Sequence, residues 1–189
     1  MLFRSLHQRV FREALVGVDA VAALMQASPD VDRERFGSFA RRLLVRYPGL
    51  QGLGYDPIVP HAERARHEAT TRADGFAGYQ ILERGPSGDV VRAADRGVYV
   101  VAHFLEPLAG NEQALGFDIA SEHVRRAALE RAAAAGRPAA TGVLRLVQEP
   151  GGEAGILACA PVRRAGSGGD ELAGFAVGVV ELHRSIDGA

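Results

Sequence analysis

Residues 141–162 read TGVLRLVQEPGGEAGILACAPV, two apolar runs on either side of the polar link Glu149-Pro-Gly-Gly-Glu153. Short runs rich in apolar and β-branched residues, bounded by Gly and Pro, are typical of strands. The link is too short to hold a crossover helix, which parallel neighbours would need. The two runs are therefore predicted to be antiparallel hairpin partners.

The same argument applies to the links Gly85-Pro-Ser-Gly88 and Gly166-Ser-Gly-Gly169. Strands are predicted at about 50–56, 77–82, 98–105, 114–119, 141–148, 155–161 and 172–181, and helices at about 60–73 and 121–135. This pattern predicts an α+β fold. Because the strands form one group before and one after about residue 95, we expect two small antiparallel-sheet subdomains side by side.

Residues from about 2 to 27 contain no proline, and their apolar spacing predicts one long amphipathic helix. At about 1.5 Å per residue it extends roughly 40 Å, longer than a small core needs. Its apolar stripe fits either a core-packing helix or a stalk that dimerises: Phe11, Leu15, Val18, Ala22 and Met25. A second helix ends at Tyr47, so the expected divisions are 1–47, 48–95 and 96–189, with soft boundaries inside one overall domain.

Composition restricts the partners. The 189 residues are 47% hydrophobic, enough for a real core, and 22 basic side chains face 23 acidic ones. With no basic field, nucleic acid is not an expected partner. No apolar stretch approaches the roughly 20 residues of a membrane span, and the N-terminus has no signal-peptide core. Any membrane attachment is therefore expected through flanking segments outside this sequence.

Enzyme templates largely fail. The sequence has no Gly-x-Ser-x-Gly elbow, no phosphate-binding Gly-rich loop with a Lys, and no His-Glu-x-x-His pair. His61 and His67 are six residues apart on a predicted helix, so they point to different sides, and no metal site or cofactor is expected. Cys159, the single cysteine, sits in an apolar run as a buried structural thiol. Cys159, His103 and Asp118 could be written as a hydrolytic triad, but nothing in the sequence brings them together.

The order of motifs from Tyr99 to Val162 is long and specific. In chain order it contains Tyr99-Val-Val-Ala-His-Phe-Leu-Glu-Pro107, Asn111, Ala114-Leu-Gly-Phe-Asp118, a helix with Arg125, Arg126 and Leu129, then Thr141-Gly-Val143, Leu146-Val-Gln-Glu149 and Ala160-Pro-Val162. This order resembles the CHASE domain, the extracellular sensory module of histidine kinases and nucleotide cyclases. Pro48-Gly-Leu50, Leu53-Gly-Tyr55 and Glu63-Arg64 extend the resemblance to most of the chain from about residue 36.

The resemblance implies a long stalk helix followed by two PAS-like sheet subdomains. Plant members of the family bind cytokinins, N6-substituted adenines, and an aspartate matching Asp118 hydrogen-bonds the adenine ring. Val100-Val101-Ala102 lacks a proline often found after the Tyr, and Arg163 replaces an aromatic residue. These departures concern the identity of the ligand more than the fold.

Asp118 is accordingly the first candidate for ligand contact, because a carboxylate in a partly dry pocket accepts strong charge-assisted hydrogen bonds. The alternative is local capping, since Asp118 precedes a helix that begins near Ser121. The resemblance and the strand pattern add five further candidates: Phe104, Leu115, Ala140, Thr141 and Gly155. Phe104 and Leu115 have the alternative role of core residues, and Gly155 that of an ordinary hairpin glycine.

We expect, then, a non-catalytic sensor from the periplasmic or extracellular side of an inner-membrane receptor, with kinase or cyclase chemistry elsewhere in the parent protein. It is expected to bind a small organic molecule, an adenine derivative among the candidates, and to form a homodimer through the N-terminal helix. One rival is a ligand-independent dimerisation or spacer module. Another is a small soluble enzyme that uses Asp118 as a general base.

Overall fold

The computed structural model describes residues 2–146, 154–166 and 169–181. The helices in this part of the chain are Leu2–Ala27 (α1), Arg33–Arg46 (α2), Arg64–Ala73 (α3) and His123–Ala135 (α4). The strands are Gly52–Pro60 (β1), Leu82–Arg84 (β2), Val90–Arg92 (β3), Val98–Val100 (β4), Phe104–Glu106 (β5), Ala139–Ala140 (β6), Leu144–Arg145 (β7), Ala154–Gly166 (β8) and Gly169–Glu181 (β9).

The main sheet is antiparallel throughout and runs in the order β4, β1, β9, β8, β6. β5 also pairs with β1, and β7 also pairs with β8. The long hairpin β8–β9 is its centre, with β1 added beside β9 from Gly52 opposite Val179 to Pro57 opposite Gly174. The expected α+β class with an antiparallel sheet is confirmed.

The described residues do not form the two comparable sheets expected before and after about residue 95. β1, from the first half of the chain, takes its place in the same sheet as β8 and β9 from the second half. In the described part of the chain the other sheet is only the two-stranded hairpin β2–β3. The sequence could not show this arrangement, because the β1–β9 pairing joins segments more than a hundred residues apart.

Three strand predictions also shift. The strand expected at 77–82 begins at Leu82. The segment expected as a strand at 114–119 forms no strand, and its isolated bridges join Phe117 to Leu82 and Asp118 to Val101. The strand expected at 141–148 is reduced to β7. Residues 147–153, with most of the Val-Gln-Glu motif and its link, lie outside the described residues, as do 167–168 and His183.

α1 lies across one face of the main sheet, against β8 and β9. Val18, Ala22 and Met25 are buried in the core shared with that face, whereas Phe11 is 39% exposed. Most of the stripe expected to serve a stalk seam is therefore core within one chain, and a dimer contact along its whole length is excluded. The helix packs this way because small β9 residues such as Gly178 allow Val18 to approach the strand.

α3 is fixed to a smaller core by buried Arg64. Its guanidinium donates to Glu68 Oε1 at 3.1 Å, to the Ala93 carbonyl at 2.9 Å and to Tyr99 Oη at 3.1 Å. Glu68 in turn accepts from the Ile81 N–H at 3.0 Å. The pair is buried but well supplied with partners, so its role is to hold α3 against the β2–β3 hairpin.

The opposite face of the main sheet carries α4. Leu129 and Ala132 of α4 pack with Leu157, Cys159 and other residues of this face in a second core: Val100, Phe117, Ile119, Leu146, Phe175 and Val177. Gly136, in the left-handed region at φ 62°, ends the helix. Between this core and β1 the packing leaves a cavity.

Candidate functional site

The cavity lies between the sheet face opposite α1, the segment that follows β5, and the first turn of α4. Its volume is about 60 Å³. Its walls are mostly aliphatic, and the lining set is Gly52, Leu53, Gly54, Asp56, Ala102, Leu105, Glu106, Pro107, Asn111, Ala114, Phe117, Ile119, Arg125, Leu146, Leu157, Val177 and Val179. One water needs roughly 10–15 Å³ by this measure, so the cavity has room for a small organic molecule.

The alternation of β1 produces the floor. Leu53 and Tyr55 point into the core shared with α1, so Gly52, Gly54 and Asp56 face the other way. A Cβ added at Gly54 would lie 2.9 Å from the Phe104 carbonyl oxygen. A Cβ there would also lie 3.5 Å from Asp56 Oδ1, so the glycine lets the carboxyl of Asp56 and the β5 backbone pack closely together.

Asp56 is 1% exposed, and its Oδ1 has no hydrogen-bond partner. Burial raises the pKa of Asp56 to about 8; Arg125 opposes this rise, and Asp118 adds to it. A buried acid without a partner is costly when ionised, so the empty pocket favours the protonated form near neutral pH. A ligand that supplies a donor or a positive charge removes that cost.

Arg125 forms a second polar wall. It is 2% exposed and extends from the buried side of α4, which also carries Leu129. One terminal nitrogen donates to Glu122, the other donates to the Arg145 carbonyl at 3.0 Å, and Nε has no partner. Burial lowers the pKa of Arg125, and Glu122 opposes that effect. The guanidinium is therefore held in place with one N–H still available.

The pocket thus offers an acceptor on β1 and a donor on α4, both inside an aliphatic enclosure. Asp56 and Arg125 do not form an ion pair with each other in the described structure, so both can be satisfied by a molecule placed between them. Convergent polar groups in an otherwise apolar cavity are the usual form of a small-molecule site.

Asp118 does not line this cavity. Its side chain is buried, its Oδ1 accepts from the Val100 and Ala120 N–H groups at 2.9 and 3.1 Å, and its Oδ2 accepts from Arg96 at 2.9 Å. Burial raises the pKa of Asp118, while these hydrogen bonds and Arg96 oppose the rise. Its carboxylate is used locally, as the capping alternative expected, and both of its oxygens are occupied. The expected orientation into a pocket is therefore not what the structure has.

Phe104 and Leu115 also lie elsewhere. Phe104 packs in the α1-side core, 5.2 Å from the Phe36 ring centroid and 6.2 Å from that of Tyr55, on the opposite face of the sheet. Leu115 packs against the small core around Tyr79 and borders a shallow surface groove. Successive side chains along β5 point to opposite faces of the sheet, so a shift of one residue in its pairing would move Phe104 to the cavity side. The sequence alone did not fix that register.

Ala140, Thr141 and Gly155 lie at the β8 edge of the sheet. Ala140 pairs with Ala158, and Thr141 Oγ1 accepts from the Leu157 N–H at 3.0 Å. A Cβ at Gly155 would lie 2.8 Å from a side-chain carbon of Leu146. None of the three lines the cavity, but Gly155 allows Leu146 to pack over the sheet and form one wall.

The residues that sequence reasoning missed carried a weak signal. Asp56 is the single charge in the strand run 52–60, and it shares the alternation of Gly52 and Gly54. Arg125 precedes Ala128, Leu129 and Ala132 at helical spacing on what proves to be the buried side of α4. A charged residue on the apolar side of a helix or strand is a candidate functional residue. The sequence does not show which two such residues come together, because that depends on the tertiary fold.

Other reactive groups give no rival site. Burial raises the pKa of Cys159 to about 12, so the thiol is protonated at neutral pH. Burial lowers the pKa of His103 to about 3. Within residues 2–146, 154–166 and 169–181, no three His, Cys, Asp or Glu side chains lie together as a metal site. No helix in those ranges is long and apolar enough to cross a membrane.

The family model of the CHASE domain matches residues 29–189. No curated protein matches the chain in sequence. An extracellular ligand binding receptor from Desulfohalobium retbaense DSM5692 shares the fold with a TM-score of 0.52, at 13% sequence identity, over 90% of this chain and 22% of that one.

Two further solved structures are more distant. The ligand-binding domain of the Pseudomonas aeruginosa PAO1 amino acid chemoreceptor PctC, in complex with GABA, gives a TM-score of 0.49 at 18% identity, over 97% of this chain and 58% of that chain. A methyl-accepting chemotaxis protein X gives 0.43 at 12%, over 96% and 62%. The chain thus spans between about a fifth and three fifths of the length of these proteins.

Proposed function

Because this chain belongs to the CHASE domain family, we propose that it is the extracytoplasmic sensing part of a membrane receptor and binds a small organic ligand in the cavity between its main sheet and α4. The parent receptor is then a histidine kinase or nucleotide cyclase of the inner membrane, and the sensing domain itself performs no chemistry. Membrane attachment belongs to segments that flank it.

One observation carries the proposal: Asp56 and Arg125 line the same cavity, and Asp56 Oδ1 and Arg125 Nε are buried without hydrogen-bond partners. Leaving a buried donor or acceptor unsatisfied costs about 1–3 kcal/mol each, and more for a charged group. A domain that only spaced or dimerised its neighbours would gain stability from filling this space with aliphatic side chains. The protein keeps two buried polar groups at a cost in folding free energy, and this favours a ligand site over the spacer alternative.

The path from pocket to output runs through one strand. Val177 and Val179 of β9 line the cavity, whereas the intervening Gly178 faces α1, where an added Cβ would lie 2.8 Å from Val18. A ligand that shifts β9 therefore shifts the surface on which α1 rests. Signalling requires only that the ligand bind one arrangement of β9 and α1 better than another.

We still propose a homodimer through α1, but with a smaller contact than the whole apolar stripe. Val16 is 52% exposed and lies on the side of α1 opposite Val18, which the sheet covers. We place the contact between two receptor copies on this outward side, instead of along the stripe that ends at Met25. Tethering to a membrane raises the effective concentration of such a weak contact.

An adenine derivative remains the second ligand candidate, supported by the family alone. A cavity of roughly 150 Å³ accommodates a single benzene ring. At about 60 Å³, the present cavity would have to open before a two-ring purine with an N6 substituent could enter. The geometry therefore favours a smaller ligand.

The enzyme alternative has less support. A general base must reach its substrate proton from a cavity, but Asp118 lies outside the cavity and both of its oxygens are engaged. The cavity groups Asp56 and Arg125 bind and orient, and no Ser, Thr, Cys, Lys or Tyr accompanies them among the lining residues.

The test is a thermal-shift screen of the wild-type chain against small metabolites and N6-substituted adenines, because a bound ligand raises apparent stability by mass action. Hits are repeated with Asp56→Asn and with Asp30→Asn, whose exposed carboxyl lies in the link between α1 and α2. We expect hits that stabilise wild type and Asp30→Asn but not Asp56→Asn. A screen without hits, or hits indifferent to Asp56, would refute the proposed site.

A further inference from the structure

We propose that the cavity takes a small zwitterion, a molecule with a carboxylate and a protonated amine close together and a short aliphatic remainder, of the alanine type. Its carboxylate accepts from Arg125 Nε, and its ammonium donates to Asp56. This inference rests on the proposed sensing function and names the ligand class of that same site.

The two walls carry opposite formal charges and open hydrogen-bonding atoms. Arg125 has only donors, so Nε calls for an acceptor on the ligand, and an anionic acceptor makes the stronger bond. Asp56 is served best by a cationic donor. A ligand with a single charge would satisfy one wall and leave the other buried and unpaired.

The charges around Arg125 fix which end of the ligand goes where. Glu122 is shared between Arg125 and Arg84, whose Nε lies 3.1 Å from Glu122 Oε1. Two guanidinium groups thus meet one carboxylate, which leaves an excess of positive charge at the α4 wall. The β1 wall carries the carboxyl of Asp56 and the uncharged floor of Gly52 and Gly54. The anionic end of the ligand therefore points to α4.

The rest of the cavity limits the remainder of the molecule. Ile119, Leu146, Leu157, Val177 and Val179 supply aliphatic surface, and the volume of about 60 Å³ leaves room for a few heavy atoms. The remaining polar lining residues are already engaged: Glu106 accepts from Arg41, and Asn111 Nδ2 donates to the Pro107 carbonyl at 2.9 Å. A methyl or similar group fits this space, whereas an indole side chain does not.

The test compares matched ligands by calorimetry at about pH 8.5, above the pKa of about 8 of Asp56, so that most of its carboxyl is ionised. L-alanine carries both charged groups, propionate lacks the amine, and ethylamine lacks the carboxylate. We expect L-alanine or glycine to bind at least about tenfold more tightly than propionate or ethylamine, the effect of one charge-assisted hydrogen bond. L-tryptophan is the control for size and is expected not to bind.

One variant and its control identify the partner of the ammonium end. Asp56→Asn should lower the affinity for L-alanine by about tenfold or more and leave that for propionate nearly unchanged, so the two ligands become alike. Asp30→Asn should change neither. Equal binding of L-alanine and propionate by wild type, or an unchanged preference in Asp56→Asn, would overturn the zwitterion assignment.

The outcomes also separate this inference from the proposed function. If an N6-substituted adenine or another metabolite binds in an Asp56-dependent way while glycine and L-alanine do not, the zwitterion assignment fails and the sensor proposal stands. If the wild-type chain binds nothing in either experiment, both fail.

Discussion

The carboxyl of Asp56 is buried without a partner, and the empty domain bears the resulting cost. Its folded pKa is about 8, against about 3.9 for an aspartate in the unfolded chain. The stability that the protonated carboxyl contributes is therefore fully present below about pH 4 and is lost as the pH rises through 8.

Asp56→Asn removes this titration while keeping the shape of the side chain. The empty variant should be more stable than wild type at about pH 8 by at least about 1.4 kcal/mol, the value of one pKa unit, and the difference should shrink toward pH 4. Urea melts of both proteins across this pH range measure it. A difference that is constant with pH would show that Asp56 does not titrate as described.

Asp118 shows the opposite balance, because its carboxylate is satisfied within the protein. Asp118→Asn loses a charged acceptor for Arg96 and for two backbone N–H groups. We expect it to lower the free energy of unfolding by about 1.5–3 kcal/mol. Ligand affinity should change little, since the cavity lies elsewhere.

This expectation differs from the one that the family resemblance gives, in which Asp118 contacts the ligand. Denaturant melts paired with calorimetry of any ligand found by the screen separate the two. A large loss of affinity with an unchanged melting curve would return Asp118 to the binding site.

At the scale of elements, Leu146, which directly follows β7, lines the cavity and packs closely against Gly155 of β8. An Ala Cβ at Gly155 would lie 2.8–2.9 Å from three carbons of the Leu146 side chain, which must then move. Gly155→Ala should therefore reduce the cavity and weaken ligand binding. Gly142→Ala is the control, because nothing lies within 4 Å of a Cβ there. Equal affinities for the two variants would mean that Leu146 does not shape the site.

α1 supplies a second pair of matched positions. Val18 is 0% exposed against the sheet, and Val16 is 52% exposed on the other side of the helix. Val18→Glu buries a charge in the core and should lower the unfolding free energy by several kcal/mol.

Val16→Glu should leave the melting temperature within a few degrees of wild type and reduce any self-association measured by sedimentation. Dissociation by Val18→Glu without loss of stability would contradict the placement of α1 in the core of one chain.

These elements also show what sequence can and cannot supply. The helices α1 and α4 follow from periodicity within a few residues, because their signals are local. The hairpin β8–β9 follows from short links. The place of β1 beside β9, and with it the face on which Asp56 lies, depends on pairing between distant segments. The family resemblance identified the domain and the buried acid at 118, but the buried acid that lines the cavity is Asp56.

For the whole molecule, the main sheet separates a filled core on one face from a cavity on the other. The α1 side is a filled core, and the α4 side holds a cavity with two unsatisfied polar groups. β9 belongs to both sides, since alternate residues line the cavity and support α1. A sensor needs this arrangement, in which a change on one face of the sheet is felt on the other.

The central claim is that a small ligand binds between Asp56 and Arg125, and an experimental structure of the chain with a ligand from the thermal-shift screen tests it most directly. The account predicts ligand atoms in the cavity within hydrogen-bond distance, about 2.7–3.2 Å, of both Asp56 Oδ1 and Arg125 Nε. A ligand bound beside Asp118 or in the surface groove near Leu115, with the cavity between β1 and α4 unchanged, would contradict it.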